Sequence, residues 1–276
     1  RPLAQAEADG GIDRIALARG HFEAKAERVG PDVPASVFPF PAEFPRTRLG
    51  YARWLVDRRN PLTARVFVNR VWQQFLGRGI VATSEDFGMQ GQLPTHPELL
   101  DWLSVWFMDN GWNVKALCRL IVLSHTYRQS SLPSAIDQYA LDPENRLLAR
   151  GPRTRLSAEQ LRDNALFTSG LLDARHGGEP VKPYQPPGLW EDAGTQHEYA
   201  QGSGRDLFRR SLYTFWRRTV SPANMFDASN RQSCRVRQLA TSTPLHSLTT
   251  LNDPTWVEAA RVLAEQCMKS SGDVDA

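Results

Sequence analysis

Four polar residues of the sequence carry the side-chain types that acid–base catalysis uses: His96, Asp101, His125 and Arg128. A histidine can act as a general base near neutral pH, so this group predicts a hydrolase or lyase if the four side chains converge. The alternative is that each histidine is a hydrogen-bonded structural residue. A metal site would need Glu98 or Asp101 to meet His125 in space. The spacing does not require this, and we predict no metal site.

A second set of polar residues interrupts an apolar helix predicted over Leu62–Leu76. Asn69 and Arg70 lie within it, and buried polar groups need partners. We expect Arg70 to meet one of five carboxylates: Asp86, Glu98, Asp101, Glu159 or Asp163. Two interpretations stay open, a buried arginine–carboxylate clamp that holds helices in register and a binding or catalytic pocket.

A charged run surrounds the helix that Ser157 begins. Arg155, Glu159 and Asp163 belong to it and are candidate binding residues, together with Asn69, Arg70 and Asp86. Glu159 and Arg162 are three residues apart on that helix, which is also the spacing of an ordinary surface ion pair.

An irregular segment at about residues 174–209 is rich in glycine and proline and has no apolar periodicity. Long segments of this kind in a compact domain are usually functional or disordered. Its aromatic side chains are Tyr184, Trp190, His197 and Tyr199, and Trp190 is the candidate binding residue among them. Such rings can stack on sugars or on a partner surface, or they can pin the loop to the body of the protein.

Several classes of protein are excluded by composition and motif. The 33 basic and 30 acidic residues give a net charge of +3 without a basic cluster, which argues against nucleic-acid binding. Asp86-Phe87-Gly88 resembles a kinase metal motif, but no glycine-rich loop accompanies it. The sequence lacks a nucleophile elbow, a zinc-protease motif, a P-loop, a dinucleotide fingerprint and any apolar run long enough to span a membrane. Cys118, Cys234 and Cys267 contain no C-x-x-C pair, and their disulfide state stays open.

The apolar periodicity predicts a mainly α-helical fold, an irregular helical bundle with long loops. A small β element is expected from short strands near 13–22 and 211–217. Caps are predicted at Asn60, Thr95, Asn113 and Ser157, and two further helices begin at Thr243-Pro244 and Asp253-Pro254. Residues 1–45 are expected to be a strand or two and a proline-rich connector from an upstream region, and 46–276 a single helical domain. The chain begins Arg1-Pro2 without a signal peptide, so we expect any export signal to lie upstream.

A series of short motifs in a fixed order resembles a known family. The motifs run from NPLTAR at 60–65 and VNR at 68–70 through GRG at 77–79, DFG at 86–88, THPELLDW at 95–102 and TYRQS at 126–130 to RL at 155–156, RD at 162–163, TPL at 243–245 and LNDP at 251–254. In this pattern the chain resembles the planctomycete-type C-terminal domain of unknown function, which is found in large exported proteins with an upstream cytochrome-c-like domain. His246 stands where the family pattern has glutamine.

The resemblance implies an exported protein, periplasmic or on the cell surface, but no established activity and no known catalytic residue. Haem would belong only to an upstream domain, because the C-x-x-C-H motif is absent here, and we predict no cofactor in this chain. The leading hypothesis is a module that binds extracellular polysaccharide, and a wider version of this hypothesis adds that the module also processes it. The expected partners are the upstream domains of the same polypeptide. The alternatives are the hydrolase or lyase with a His/Asp/Arg site and a non-catalytic structural surface module.

Overall fold

The structure, a computed structural model, consists of two compact units, Arg1–Arg153 and Thr154–Ala276. It describes residues 14–17, 25–132, 137–192, 199–217, 222, 225–227, 236 and 241–270. The described residues are mainly helical, so the predicted helical fold is confirmed. None of their helices has the length and apolar character that crossing a bilayer requires. That residues 46–276 act as one domain stays a prediction.

The first unit begins with two antiparallel strands, β1 (Arg14–Leu17) and β2 (Lys25–Val29). Its helices are α1 (Arg48–Leu55), α2 (Thr63–Leu76), α3 (Pro97–Asp109), α4 (Val114–Leu123), α5 (His125–Arg128) and α6 (Asp137–Leu141). Buried apolar residues of α2, α3, α4 and the turn after α2 form its core: Val68, Trp72, Ile80, Val81, Leu100, Leu103, Phe107, Leu117 and Ile121.

Local chemistry sets the ends of these helices. Asn60 Oδ1 accepts the N–H groups of Leu62 and Thr63 at 3.0 and 3.3 Å, and Gly77 ends α2 in the left-handed region with φ 78°. Asn113 Oδ1 caps α4 by accepting the N–H of Ala116 at 3.0 Å. The cap predicted at Asn113 is therefore confirmed. The N-cap position of α2 is Leu62, which makes no side-chain capping bond, and Asn60 instead bonds the backbone where the chain enters the helix.

The capping box predicted at Thr95 is wrong. His96 occupies the N-cap position of α3 and makes no side-chain capping bond. Both the N–H and the hydroxyl of Thr95 donate to the carbonyl of Ile80, at 2.9 and 3.3 Å. Thr95 is therefore tied to the turn that follows α2 and is not available to cap α3.

The proline-rich segment at 31–45 packs on α1. Trp54 Nε1 donates to the carbonyl of Phe38 at 2.9 Å, and the two rings stack with their centroids 6.4 Å apart. A Cβ at Gly50 would lie 1.8 Å from the Pro45 carbonyl oxygen, so only glycine allows the backbone to approach this closely.

The second unit contains α7 (Ala158–Thr168), α8 (Leu189–Asp192), α9 (Pro244–Asn252), α10 (Pro254–Ser270) and two short 3₁₀ helices, Gly204–Phe208 and Ser211–Tyr213. Ser157 and Gln160 form the predicted capping box of α7, with bonds of 3.3 and 3.0 Å. The helices predicted after Thr243 and Asp253 are confirmed as α9 and α10.

The strand predicted at 211–217 is wrong. Ser211–Tyr213 forms a 3₁₀ turn, because the N–H of Tyr213 donates to Arg210 and that of Thr214 to Ser211. The segment then makes an isolated parallel bridge between Thr214 and Val181. The alternation of side chains in this stretch therefore reflects a turn followed by extended backbone.

Candidate functional site

The four acid–base candidates lie in the first unit, but the contacts there do not assemble them. His96 is half-buried at the start of α3, whereas His125 and Arg128 are exposed on α5. Asp101 is exposed and pairs with Arg65, whose Nε lies 2.6 Å from Asp101 Oδ1. Among the described residues, no hydrogen bond or ion pair joins any two of the four candidates. The described part of the chain also shows no cluster of three or more histidine, cysteine or carboxylate side chains able to hold a metal.

Asn69 is fully buried, and its amide is satisfied by the turn after α2. Its Oδ1 accepts the Val81 N–H at 2.9 Å, while Nδ2 donates to the Val81 carbonyl and to Ser84 Oγ, each at 3.0 Å. Ser84 in turn donates to Gln73. The buried polar groups of α2 thus form a clamp on this turn, which corresponds to the structural interpretation of Asn69.

The expectation that Arg70 is buried against a carboxylate is wrong, because its side chain is exposed. Successive residues of a helix are separated by about 100°, so the position after the inward-facing Asn69 turns towards solvent. Asp86 is half-buried and accepts the Gly88 N–H at 2.7 Å, which closes a local turn. Neither residue contributes to a buried ion pair.

A buried arginine does exist, but it is Arg162 on α7. Its side chain is fully buried and donates to the carbonyls of Arg209 and Leu207, each at 2.8 Å, and to Ser211 Oγ at 3.3 Å. The nearest carboxylate oxygen, on Asp163, lies 3.9 Å from Nη1. Burial disfavours the charged guanidinium and lowers the pKa of Arg162. The clamp predicted between Arg70 and a carboxylate is therefore absent from the described residues, and the buried arginine Arg162 is held by backbone carbonyls instead.

The charged run around α7 does not form one site. Asp163 accepts the Ser211 N–H at 2.7 Å and so reinforces the attachment made by Arg162. Arg155 is exposed, with its Nη2 3.4 Å from Nδ1 of His246, and Glu159 is half-buried on α7.

His246 is buried in a small cluster of its own. Its ring stacks on Phe226 with centroids 4.1 Å apart, and its Nε2 lies 3.9 Å from Asp227 Oδ2. Burial raises the pKa of Asp227, but hydrogen bonds from the N–H and hydroxyl of Thr241 outweigh it, so that pKa lies below its ordinary value. The cluster keeps a carboxylate charged beside an imidazole.

Trp190 is not available for stacking on a ligand. Only 4% of its surface is exposed, Nε1 donates to Gln185 Oε1 at 2.7 Å, and its ring lies 5.4 and 5.8 Å from the rings of Tyr199 and Phe215. Tyr199 donates its hydroxyl to the Pro183 carbonyl at 2.7 Å. These aromatic side chains attach the loop to the rest of the second unit. His197 and Cys234 lie outside the described residues.

The first half of the irregular segment is held by Arg209, which is 2% exposed. Its guanidinium donates to the carbonyls of Glu179, Arg175 and Gly177 at 3.0, 3.1 and 2.6 Å. The same group lies 3.9 Å from the ring centroid of Tyr213, whose hydroxyl accepts the Gly177 N–H at 2.9 Å. One side chain therefore fixes the backbone of this loop at three carbonyl groups, in a stretch that has no regular secondary structure.

Asp173 anchors the start of this loop from within the unit, with 3% of its surface exposed. It accepts the Arg175 N–H at 3.1 Å, and Arg205 Nη2 lies 3.4 Å from the same oxygen. The hydrogen bond from Arg175 lowers the pKa of Asp173, and the charges of Arg205, Arg175 and Arg209 lower it further. The carboxylate is therefore held in its charged form.

The ordered loop lines an open cleft of about 540 Å³ in the second unit. Its lining contains the donors Arg175, His176 and Lys182 and the acceptors Glu179 and Asp206. Arg175 and Asp206 form an ion pair across the lining, with Arg175 Nη2 2.7 Å from Asp206 Oδ1. The remaining lining residues are Gly177, Gly178, Pro180, Val181, Ala200, Gly202 and Arg209. This is the arrangement best suited to a polar ligand, and we call it the loop cleft.

The loop cleft contains none of the candidates selected from sequence, although it lies within the segment singled out as irregular. A local signal marks its base, since Gly177 and Gly178 adopt φ values of 74° and 85° that L side chains rarely take. The backbones of its anchors Asp173 and Arg209 form an isolated bridge although they are more than 30 residues apart, and periodicity does not reveal contacts at such a separation.

The described residues therefore form a mainly helical protein with a polar cleft in its second unit. A family model described as "Protein of unknown function (DUF1553)", named PSD1, matches residues 47–276, and the chain belongs to that family. Comparison with curated proteins and with solved structures gave no match.

Proposed function

We propose that the loop cleft binds a hydroxyl-rich ligand, and that this ligand is extracellular polysaccharide. The observation that supports the proposal is a concave polar surface on a loop that the buried Arg209 holds in place. A binding surface that is ordered before the ligand arrives avoids the entropy cost of ordering on binding.

The mixture of side chains favours a saccharide over a simple anion. A phosphate or carboxylate would require donors alone, whereas each sugar hydroxyl both donates and accepts a hydrogen bond. The cleft offers His176 and Lys182 as donors beside Glu179 as an acceptor, while Arg175 and Asp206 are paired with each other at 2.7 Å and present only their remaining polar atoms. Gly177 and Gly178 let a ligand approach the backbone closely.

The resemblance noted in the sequence supports the setting of this function. It implies an exported protein with a cytochrome-c-like domain upstream, and such a protein would meet polysaccharide outside the cytoplasm. The proposal is limited to binding, because His96, Asp101, His125 and Arg128 make no contacts that would unite them as a catalytic group.

Affinity gel electrophoresis against a panel of neutral and acidic polysaccharides tests the proposal. Retardation by at least one polysaccharide is expected for the unaltered chain. His176→Ala and Glu179→Ala should each weaken it by about tenfold, the value of one hydrogen bond to a charged or strongly polar group. Both side chains are exposed, so folding should be preserved.

Matched controls are His125→Ala and Glu98→Ala, which remove an exposed histidine and an exposed glutamate of the first unit. These two variants should bind like the unaltered chain. If no polysaccharide retards the chain, or if the control and cleft variants weaken binding equally while all remain folded, the loop cleft is not a saccharide site.

A further inference from the structure

The first unit contains a second cavity, whose lining is mainly apolar where that of the loop cleft is polar. It has a volume of about 510 Å³ and is formed by α2, α3, α4, α5 and Ser124, which connects the last two helices. Its floor contains the buried side chains of Trp72, Leu103 and Ile121. Its walls and rim are formed by Leu99, Trp102, Trp106, Ala116, Arg119, Leu120, Leu123, Ser124 and Thr126. We call it the tryptophan groove.

The groove leaves large apolar side chains in solvent. Trp102 is 54% exposed and Leu123 56% exposed, although each lies beside a completed core. Covering such surface releases about 25 cal/mol for each Å² removed from water, so an apolar ligand is favoured there. A cavity of this size with few polar groups is typical of a small-molecule site.

The polar groups of the groove specify one end of that ligand. Arg119 is exposed and is the charged residue in the lining, and no ion pair of its guanidinium occurs among the described residues. Ser124 Oγ already donates to the Ile121 carbonyl and accepts the Tyr127 N–H. The available charge is therefore one cation at the rim of an apolar surface.

From this arrangement we infer that the tryptophan groove binds a small amphiphile with an apolar chain and one anionic group, which pairs with Arg119. The α3 wall from Leu99 to Trp106 is about 10 Å long, at about 1.5 Å per residue. This length fits a short acyl chain, whereas a stable protein interface covers about 800 Å² on each partner. The inference is independent of the loop cleft, which lies in the other unit.

Isothermal titration of the purified chain with decanoate, below its micelle concentration, tests this inference. We expect one bound decanoate per chain, accompanied by a blue shift of tryptophan emission as Trp102 loses contact with water. Decyltrimethylammonium has the same chain and the opposite charge, and it should bind at least fivefold more weakly.

Two variants separate the charged end from the apolar surface. Arg119→Gln should weaken decanoate binding about three- to fivefold, the upper part of the range for an exposed ion pair, and should remove the preference over decyltrimethylammonium. Lys115→Gln is the matched control, because Lys115 is an exposed cation of the same helix outside the groove. Trp102→Ala should weaken binding of both amphiphiles, whereas Phe167→Ala, an exposed aromatic of the second unit, should weaken neither.

Three results would overturn the inference. The first is absence of decanoate binding, and the second is equal binding of the two amphiphiles. The third is unchanged affinity in both Arg119→Gln and Trp102→Ala when circular dichroism shows that these variants are folded. Loss of polysaccharide binding in the loop cleft variants would leave all of these measurements unaffected.

Discussion

Asn69 holds the backbone of Val81 from both sides, with Oδ1 accepting its N–H at 2.9 Å and Nδ2 donating to its carbonyl at 3.0 Å. This pair of bonds attaches the turn after α2 to the helix itself. Since both residues are buried, water cannot replace either bond. The amide therefore determines the path of the chain between α2 and α3.

Replacing Asn69 with alanine should destabilise the first unit by about 2–4 kcal/mol, because two backbone groups of Val81 lose their partner in a buried site. Asn69→Asp should be at least as harmful, since it places an oxygen against the Val81 carbonyl. Urea denaturation followed by circular dichroism measures both. Asn164→Ala, at an exposed position of α7, is the control and should change stability by less than about 0.5 kcal/mol. A neutral Asn69→Ala would contradict the clamp.

Gly79 is required by the same turn. A Cβ at this position would lie 2.5 Å from the Val81 carbonyl oxygen and 2.6 Å from Asn69 Nδ2. Gly79→Ala should therefore cost about 1–3 kcal/mol, as overpacking of a closed site does. The control is Gly30→Ala, where no heavy atom lies within 4 Å of the added Cβ. Comparable melting temperatures for the two variants would show that the turn can move away from α2.

Much of this unit follows from local sequence. Gly77 and Asn113 define helix ends through backbone freedom or a side-chain bond, and these signals act within four residues. Asn69 could be recognised as a polar residue in an apolar helix, but its partner could not, because Val81 lies beyond the end of α2. The error at Arg70 has a related cause. Apolar residues occupy most faces of α2, so the sequence pattern does not show whether Asn69 or Arg70 faces inwards.

The candidate site of the second unit was less predictable. The glycines and prolines of residues 174–209 predict an irregular segment, and its described part also contains α8 and a 3₁₀ helix. The shape of this segment depends on bonds between distant residues. Arg209 reaches carbonyls 30 to 34 residues earlier, and Arg162 reaches positions 45 to 49 residues later. Trp190 lies in the predicted loop, yet burial changes its role from a ligand surface to an anchor.

Arg162 provides a test of the second unit. Arg162→Met keeps much of the side-chain volume and removes every donor, which leaves the carbonyls of Leu207 and Arg209 unpaired. The unit should lose about 3–5 kcal/mol, as expected when one partner of a buried charged network is removed. Arg162→Lys should also destabilise, because an ammonium cannot reproduce the fork of the guanidinium.

The measurement for Arg162 is urea denaturation, together with limited trypsin digestion of residues 174–209. Digestion should accelerate in Arg162→Met because the segment loses its attachment at 207–211. Arg261→Met removes an exposed arginine that pairs with Glu265 along α10, and such pairs contribute about 0.3–0.5 kcal/mol. Similar losses in the two arginine variants would show that Arg162 does not hold the segment.

Asp173 should make the stability of the second unit depend on pH. Its pKa in the folded protein is lowered, first by the Arg175 N–H and then by the neighbouring arginines, whereas an unfolded aspartate titrates near about 3.9. A lowered pKa means that the stabilisation is fully present above about pH 4 and is lost as the pH falls through the folded pKa.

Asp173→Asn keeps an acceptor for the Arg175 N–H and removes the charge. The variant should be less stable than the unaltered chain at pH 7, and the two should converge towards pH 2. Urea midpoints at pH 7, 5, 4, 3 and 2 test this, with Glu98→Gln as an exposed control whose curve should parallel that of the unaltered chain. Parallel curves for Asp173→Asn would mean that its charge does not stabilise the loop that forms the cleft.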